Sequence, residues 1–110
     1  MSRVLGVLFV AATVMVSLAV TPTLAQDRST VVARGERVFV DQGCNGCHTV
    51  GKAGTPIGPD LSHIGSKYPE TYLQRWLSGP KQQKPTAHMP KIELSEADIR
   101  ALAAYLASLG

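Results

Sequence analysis

The chain has 110 residues, a formal net charge of +3 and two cysteines. This length allows at most one small domain. The slight excess of positive charge is not concentrated on one segment, so the sequence does not indicate a nucleic-acid-binding protein, which would need a clustered basic face.

The beginning of the chain has the features of a secretory signal. Arg3 precedes an uncharged, mostly apolar segment of 17 residues, and Thr23 and Ala25 occupy the small-residue positions that a signal peptidase reads. We therefore predict a signal peptide over residues 1–25 and an exported, periplasmic domain over residues 26–110. The alternative is a retained membrane anchor, because 17 residues is close to the shortest length that spans a membrane.

The exported part begins with a predicted helix over about Val31–Asp41. Ser29 or Thr30 can cap its N-terminus, and Gly43 is expected to end it. Gly35 lies inside this helix, where a glycine costs up to about 1 kcal/mol. We interpret Gly35 as a point where another helix approaches closely. The alternative is a neutral surface glycine.

Both cysteines and a histidine occur together in the sequence Cys44-Asn45-Gly46-Cys47-His48. The C-x-x-C-H spacing is typical of covalent c-type haem attachment. Each thiol can add to one vinyl group of the haem, and the histidine can then bind the iron. A redox dithiol or half of a zinc site is the alternative, but the first expects a βαβ pattern and the second expects four ligands. Export would otherwise favour a disulfide, and thioether bonds leave neither cysteine free to form one.

Residues 49–67 are predicted to form a loop, because four glycines and two prolines interrupt any helix or strand. Within this loop, Pro59 offers a carbonyl whose direction is held by the ring. Leu61 offers an apolar side chain that could lie on the haem. An ordinary turn explains the same residues equally well.

A second helix is predicted over about Glu70–Ser78, with Pro69 in its first turn and Gly79-Pro80 at its end. Trp76 is the only tryptophan of the chain. We expect its ring in the core or against the haem. A buried indole N–H needs an acceptor, such as a haem propionate.

An extended segment over residues 81–91 precedes a third predicted helix, from Glu96 to about Leu109. Ser95 caps this helix, and Asp98 stands at the reciprocal capping position. With no plausible strand and no internal repeat, the predicted fold class is small and all-α, with three main helices wrapped around one covalently attached haem. Because about 85 residues with few large apolar side chains make a marginal core, we expect the haem-free chain to be largely unfolded.

The second axial ligand of the iron decides the function, since Met or His favours electron transfer and an open position favours gas binding or catalysis. Met89 is the only methionine outside the predicted leader, and it lies in a segment flanked by prolines. An apolar side chain without a binding role is not expected in such an exposed segment. The predicted metal ligands are therefore His48 and Met89. His88 and His63 are the competing candidates. Successive side chains of an extended segment point to opposite sides, so His88 and Met89 cannot both face the iron without local distortion.

From Arg34 to Leu109 the chain resembles a class I c-type cytochrome of the small bacterial kind. The resemblance rests on four motifs: C-N-G-C-H at residues 44–48, G-P-D-L at 58–61, M-P at 89–90, and L-x-x-x-D-I-x-x-L-x-x-Y-L at 94–106. One departure is the short connection after the second helix, which suggests the compact bacterial form.

The resemblance implies that Gly35 and Phe39 of the first helix cross Leu102 and Tyr105 of the last helix near a right angle. It also implies that the Pro59 carbonyl accepts a hydrogen bond from the second imidazole nitrogen of His48. The predicted haem-binding residues are Cys44, Cys47, His48, Pro59, Leu61, Trp76 and Met89.

A haem with two protein ligands predicts a one-electron carrier between exported redox partners, and not an enzyme. Lysines in the loops around the haem edge could steer an acidic partner, although scattered solvated charges explain them as well. These lysines are Lys52, Lys67, Lys81, Lys84 and Lys91. Contact with a membrane is expected only through a retained leader or a membrane-bound partner.

Two other functions remain open. The chain could be a permanently bound haem subunit of a larger dehydrogenase, sulfur-oxidising or oxidase complex. It could also be a ligand-binding or peroxidatic haem protein, which would require Met89 to be absent from the iron or displaceable.

Overall fold

The computed structural model describes residue 6, residues 8–19 and residues 24–110. Arg3 and Thr23 of the predicted leader lie outside the described residues, so the cleavage site after Ala25 stays a prediction. Within the described part of the chain, no helix is both long enough and apolar enough to cross a membrane.

The first helix, α1, spans Leu24–Asp41 and begins well before the predicted start at Val31. Ser29 and Thr30 therefore lie inside the helix, and the prediction that one of them caps it is wrong. Arg28 lies in the helical turns that precede the predicted start. Its guanidinium pairs with the carboxylate of Glu70 at 2.6 Å. Because that carboxylate belongs to a later helix, no local sequence pattern could have shown this support for the longer α1.

Beyond α1, the described chain forms a 3₁₀ turn, a two-stranded ribbon and four more helices. In chain order these are the turn Cys44–Gly46, β1 Thr49–Val50, β2 Ala53–Gly54, α2 Ile64–Lys67, α3 Glu70–Ser78, α4 Pro80–Gln83 and α5 Glu96–Ala107. The three long helices are the three predicted from the sequence. Apart from the short ribbon the fold is helical, and the all-α fold class is confirmed.

The loop predicted over residues 49–67 contains regular structure. β1 and β2 pair antiparallel, with Thr49 opposite Gly54. Gly51 has a φ of 60°, the left-handed conformation that a two-residue hairpin turn with glycine in its first central position requires. The prediction of no strand is therefore wrong here, because a glycine that breaks a longer strand can also close a very short hairpin.

The segment after α3 also differs from its prediction. Pro80 ends the α3 region as expected but also begins α4, so the chain is helical through Gln83. A hydrogen bond from the N–H of Ala87 to the carbonyl of Lys84 then closes a turn, so the predicted extended segment is wrong in its first part. Proline suits the first turn of a helix because its missing N–H would have no intrahelical partner there. At the start of α3, Pro69 is the residue before the helix and not part of its first turn.

The core is built where α1 crosses α5. A Cβ added to Gly35 would lie 2.6 Å from the carbonyl carbon of Ala101 and 2.7 Å from Cβ of Tyr105, so only glycine allows this approach. Phe39 then meets Tyr105 edge to face, with ring centroids 5.5 Å apart. Leu102, which lies three residues before Tyr105 on α5, is fully buried. The predicted meeting of these two helices is present, and Gly35 is not a surface glycine.

The N-terminus of α5 confirms one predicted cap and corrects another. Ser95 Oγ accepts a hydrogen bond from the backbone N–H of Asp98 at 3.1 Å, as predicted. The Asp98 carboxylate does not complete the reciprocal cap, because it accepts from Arg34 of α1, with 3.0 Å from Nε to Oδ1. The acidic residue thus ties α5 to α1.

Candidate haem site

The attachment motif folds as a tight turn directly after α1. Gly43 ends the helix region with a φ of 70°, and the backbone N–H groups of Cys47 and His48 both donate to the carbonyl of Cys44. Cys44 is half-buried and Cys47 is exposed, and neither forms a disulfide. Burial raises the pKa of the Cys44 thiol. The turn therefore presents two free thiols and an imidazole from one short segment.

His48 is oriented by the loop that follows it. Its Nδ1 lies 2.7 Å from the carbonyl oxygen of Pro59. A carbonyl can only accept, so Nδ1 is the donor, and in the neutral imidazole Nε2 then keeps a free lone pair, as a metal-binding imidazole requires. The contact that the resemblance implied between these two residues is present.

Gly58 makes this arrangement possible. A Cβ at residue 58 would lie 2.8 Å from Cε1 and 3.0 Å from Nδ1 of His48. The backbone N–H of Gly58 also donates to the carbonyl of Cys47 at 2.5 Å, and this hydrogen bond closes the loop onto the attachment turn. Sequence reasoning used this residue only as part of a motif, and the steric role of its missing side chain was not predicted.

A carboxylate holds the next part of the loop. Asp60 Oδ1 accepts hydrogen bonds from the Ser62 hydroxyl at 2.6 Å, the Ser62 backbone N–H at 3.0 Å and the Thr49 hydroxyl at 3.2 Å. The two hydrogen bonds from Ser62 are the main reason why the pKa of the Asp60 carboxyl group is lowered. The Ser62 hydroxyl oxygen in turn accepts from the N–H of Gly51. This network joins the ribbon to the segment that carries Pro59 and Leu61.

The loop and the long helices line a cavity of about 610 Å³ that is open to solvent on one side. Cofactor sites usually have volumes of roughly 300–1,000 Å³. Much of the wall is apolar and comes from all three long helices: Phe39, Leu73, Leu77, Leu102 and Leu106. Every predicted haem-binding residue also lines the cavity: Cys44, Cys47, His48, Pro59, Leu61, Trp76 and Met89. Paired thiols, an imidazole with a free nitrogen and an apolar hollow fit a c-type haem.

Met89 lies in the loop between α4 and α5 and is half-buried against the core. Its sulfur accepts a hydrogen bond from Trp76 Nε1 at 3.2 Å. The contact forms because Trp76 on α3 and the loop carrying Met89 face the same cavity. A bond from the indole to a haem propionate stays a prediction. His88 also lines the cavity but is exposed, and the exposed His63 is not part of the lining.

The charged rim differs from the prediction. Lys67 and Lys84 line the cavity, whereas the other three lysines named from the sequence do not. One of these three, Lys91, lies 3.8 Å from the carboxylate of Glu93. Sequence reasoning also missed Ile57, a cavity-lining residue that is 75% exposed. Its position beside Gly58 and Pro59 in the motif was the available signal.

A pair of attachment thiols, a carbonyl-held histidine and an apolar cavity in an all-helical fold define a c-type haem protein. The model of the family described as Cytochrome c matches residues 32–110, and the chain belongs to this family. This membership confirms a c-type cytochrome and the predicted fold, implies haem c as the cofactor and supports haem-based electron transfer. The assignment to class I stays a prediction. His/Met ligation stays a prediction.

One curated relative is cytochrome c oxidase subunit 2 from Alkalihalophilus pseudofirmus (strain ATCC BAA-2126 / JCM 17055 / OF4). The two are 37% identical over 89 residues, a match that covers 73% of this chain and 26% of that protein. The chain therefore spans only about a quarter of that relative's length. No solved structure matches the chain significantly.

Proposed function

We propose that the protein is a one-electron carrier with a single covalent haem c, and that His48 and Met89 are the two axial ligands. A bound haem supplies the Fe(III)/Fe(II) couple. The observation that carries the proposal is the placement of both side chains in one cavity, with His48 oriented by Pro59 and Met89 held by Trp76. The roles of the two ligands rest on chemistry: an imidazole and a soft thioether are the pair typical of electron-transfer cytochromes.

The surrounding residues serve this role by restricting movement and excluding water. Pro59 fixes the ring of His48, and the Asp60 network fixes Pro59's loop. Leu102 and Leu106 are buried behind the cavity and keep it apolar. A rigid, apolar site needs little rearrangement when its charge changes, and an apolar surrounding favours the less charged, reduced state. Two firmly held ligands also leave no coordination position for a substrate, which supports a carrier over an enzyme.

Replacement of Met89 by alanine tests the ligand assignment. We expect the oxidised native holoprotein to show the sulfur-to-iron charge-transfer absorption band and the Met89→Ala variant to lose it. The reduced variant should bind carbon monoxide at neutral pH, whereas the reduced native protein should not, because only the variant offers an open position on the iron.

The matched control is His88→Ala, which changes the neighbouring exposed residue. We expect this variant to keep the band and to exclude carbon monoxide. A native protein without the band would contradict the assignment. Carbon monoxide binding by the reduced native protein would favour the ligand-binding or peroxidatic function.

The partners and location are proposed from the charge of the cavity edge and from the leader sequence. We infer an exported, periplasmic protein that meets its redox partners through the cavity edge. Lys67 and Lys84 at that edge supply positive charge, and Ile57 supplies an exposed apolar contact. This combination suits brief encounters with an acidic protein surface.

The second candidate is a permanent haem subunit of an oxidase-type complex, and the match to an oxidase subunit favours it. Gentle extraction followed by size-exclusion chromatography with detection of haem absorbance distinguishes the two. We expect a carrier to elute alone, as a small haem protein. Stoichiometric co-elution with larger membrane subunits at high salt would contradict the carrier proposal and support the subunit.

A further inference from the structure

A set of hydrogen bonds pairs the segment that carries His48 with the segment that carries Pro59. Four of these bonds join residues that are 11 positions apart, namely Cys47 with Gly58, His48 with Pro59, Thr49 with Asp60, and Gly51 with Ser62. A constant offset means that residues 58–62 run beside residues 47–51 in the same direction. The bond that orients the His48 ring is therefore one of a series, and its neighbours in the series set the position of the Pro59 carbonyl.

Asp60 connects the two segments next to this bond. Its Oδ1 accepts a hydrogen bond from the hydroxyl of Thr49, the residue after His48, at 3.2 Å. The same atom accepts from the hydroxyl and the backbone N–H of Ser62 at 2.6 Å and 3.0 Å. Bonds from both segments thus meet on one carboxylate oxygen. An ionised carboxylate is a stronger acceptor than a neutral group, and the bonds from Ser62 lower the pKa of Asp60, which keeps it ionised.

The Pro59 carbonyl controls how strongly the imidazole of His48 donates to a metal. Nδ1 lies 2.7 Å from that carbonyl oxygen. A short bond draws the Nδ1 proton toward the oxygen and leaves more electron density on the ring, which raises the basicity of Nε2. A more basic donor stabilises Fe(III) more than Fe(II). Because a hydrogen bond weakens steeply with poor distance and angle, a carbonyl that moves would reduce this effect.

We propose that Asp60 is a positioning residue for His48 and that it lowers the reduction potential of the iron, because it holds the Pro59 carbonyl against the imidazole N–H. The inference rests on the proposed ligation of iron by His48. Asp60 is exposed, so solvent screens the direct effect of its charge. Its contribution is the fixed geometry of the loop.

Asp60→Ala in the holoprotein removes the carboxylate that joins the two segments. The equilibrium between Fe(III) and Fe(II), measured against a fixed reference couple, should shift about twofold to fivefold toward Fe(II), as a weakened hydrogen bond implies. Since a tenfold shift corresponds to about 59 mV for one electron, the potential should rise by about 20–40 mV. In NMR spectra of the reduced protein, the Nδ1 proton of His48 should exchange with solvent about ten times faster.

Ser62→Ala is a milder variant that keeps the carboxylate. It removes the hydroxyl bond to Asp60, whereas the backbone N–H of residue 62 and the Thr49 hydroxyl remain as donors. The potential and the exchange rate should change in the same direction as in Asp60→Ala, but by less. If Asp60→Ala does not fold with haem, native values of both quantities in Ser62→Ala overturn the inference.

Glu96→Ala is the control, because it removes a carboxylate that is 92% exposed at the start of α5, outside this pairing. It should change neither the potential nor the exchange rate. The measurements are repeated at about 1 M salt, where the screening length is about 3 Å. A positioning effect should persist there. A shift in Asp60→Ala that disappears at this salt concentration overturns the inference, since only the charge would then act.

The ring protons of His48 separate this failure from failure of the ligand assignment, because protons held over a haem have strongly shifted NMR signals. If the reduced native protein lacks such signals, His48 does not ligate the iron, and both proposals fall. If the signals are present and both variants keep the native potential and exchange rate, only the role of Asp60 is wrong. A changed potential with a native exchange rate also overturns that role, because the contact with Pro59 would then be intact.

Discussion

Replacement of both attachment cysteines by serine, Cys44→Ser with Cys47→Ser, is expected to give a chain that is unfolded once haem is removed. The cavity of about 610 Å³ is walled by the same side chains that form the core, including Phe39, Leu73 and Leu102. An enclosed void of this size would cost on the order of 15 kcal/mol at roughly 24 cal/mol per Å³. The cavity opens to solvent, so the real cost is smaller, but domains are stable by only about 5–15 kcal/mol.

Three measurements check this expectation. The serine variant should show no haem staining on a denaturing gel, because no thioether forms. After extraction of its haem, far-UV circular dichroism should show little helix, and heating should give no cooperative transition.

The control for the serine substitutions is native protein from which the haem has been cleaved chemically. It keeps both cysteines and should be equally unfolded, since the missing contacts are those of the haem. A cooperative thermal transition in either haem-free chain would contradict the coupling of folding to haem.

Gly35→Ala is expected to lower the free energy of unfolding of the holoprotein by about 3 kcal/mol or more, the upper end of the usual cost of overpacking. The added Cβ would lie 2.6 Å from the carbonyl carbon of Ala101 and 2.7 Å from Cβ of Tyr105. Ala101 meets it with backbone atoms, which cannot rotate away as a long side chain could. Relief therefore requires α1 to move away from α5, which would also separate Phe39 from Tyr105.

Guanidinium unfolding followed by far-UV circular dichroism measures this change. A loss of that size should lower the thermal midpoint by more than about 10 °C in a domain of this length. Alanine has the higher helix propensity, so local preference alone would predict a gain of up to about 1 kcal/mol. The two effects have opposite signs, and a stabilised variant would contradict the close helix approach.

Gly46→Ala is the matched control, because it adds the same methyl group where no protein atom other than those of the adjoining residues lies within 4 Å. Its stability should stay within about 0.5 kcal/mol of the native value, as at other surface positions. A large loss at this control would show that glycine substitutions destabilise the chain for reasons other than the crossing of α1 and α5.

Several predictions succeeded because the signal is local in sequence. Ser95 caps α5 because its hydroxyl needs only the N–H three residues later. The bounds of α3 follow from Pro69 before the helix and Gly79 after it. The family resemblance added the one long-range contact of the site that was expected, from His48 to Pro59.

Two failures have a different cause, since each depends on a partner far away in the chain. α1 begins at Leu24, and its added first turns are held by the pair between Arg28 and Glu70. Asp98 has the spacing of a reciprocal cap, but Arg34 of α1 is its actual partner. A local pattern shows which neighbouring groups a side chain can bond. In the folded protein, a group that is distant in sequence can take that side chain instead.

The sequence by itself determined the chemistry of the protein. Two thiols and an imidazole within five residues predict covalent haem attachment and one ligand, because the spacing alone places them together. Only the tertiary structure decided which groups distant in sequence contact His48 and Met89. It brings the Pro59 carbonyl to His48 and the indole of Trp76 to the sulfur of Met89. Hydrogen bonds act only over about 3 Å, so residues distant in sequence can take part only where packing brings them together.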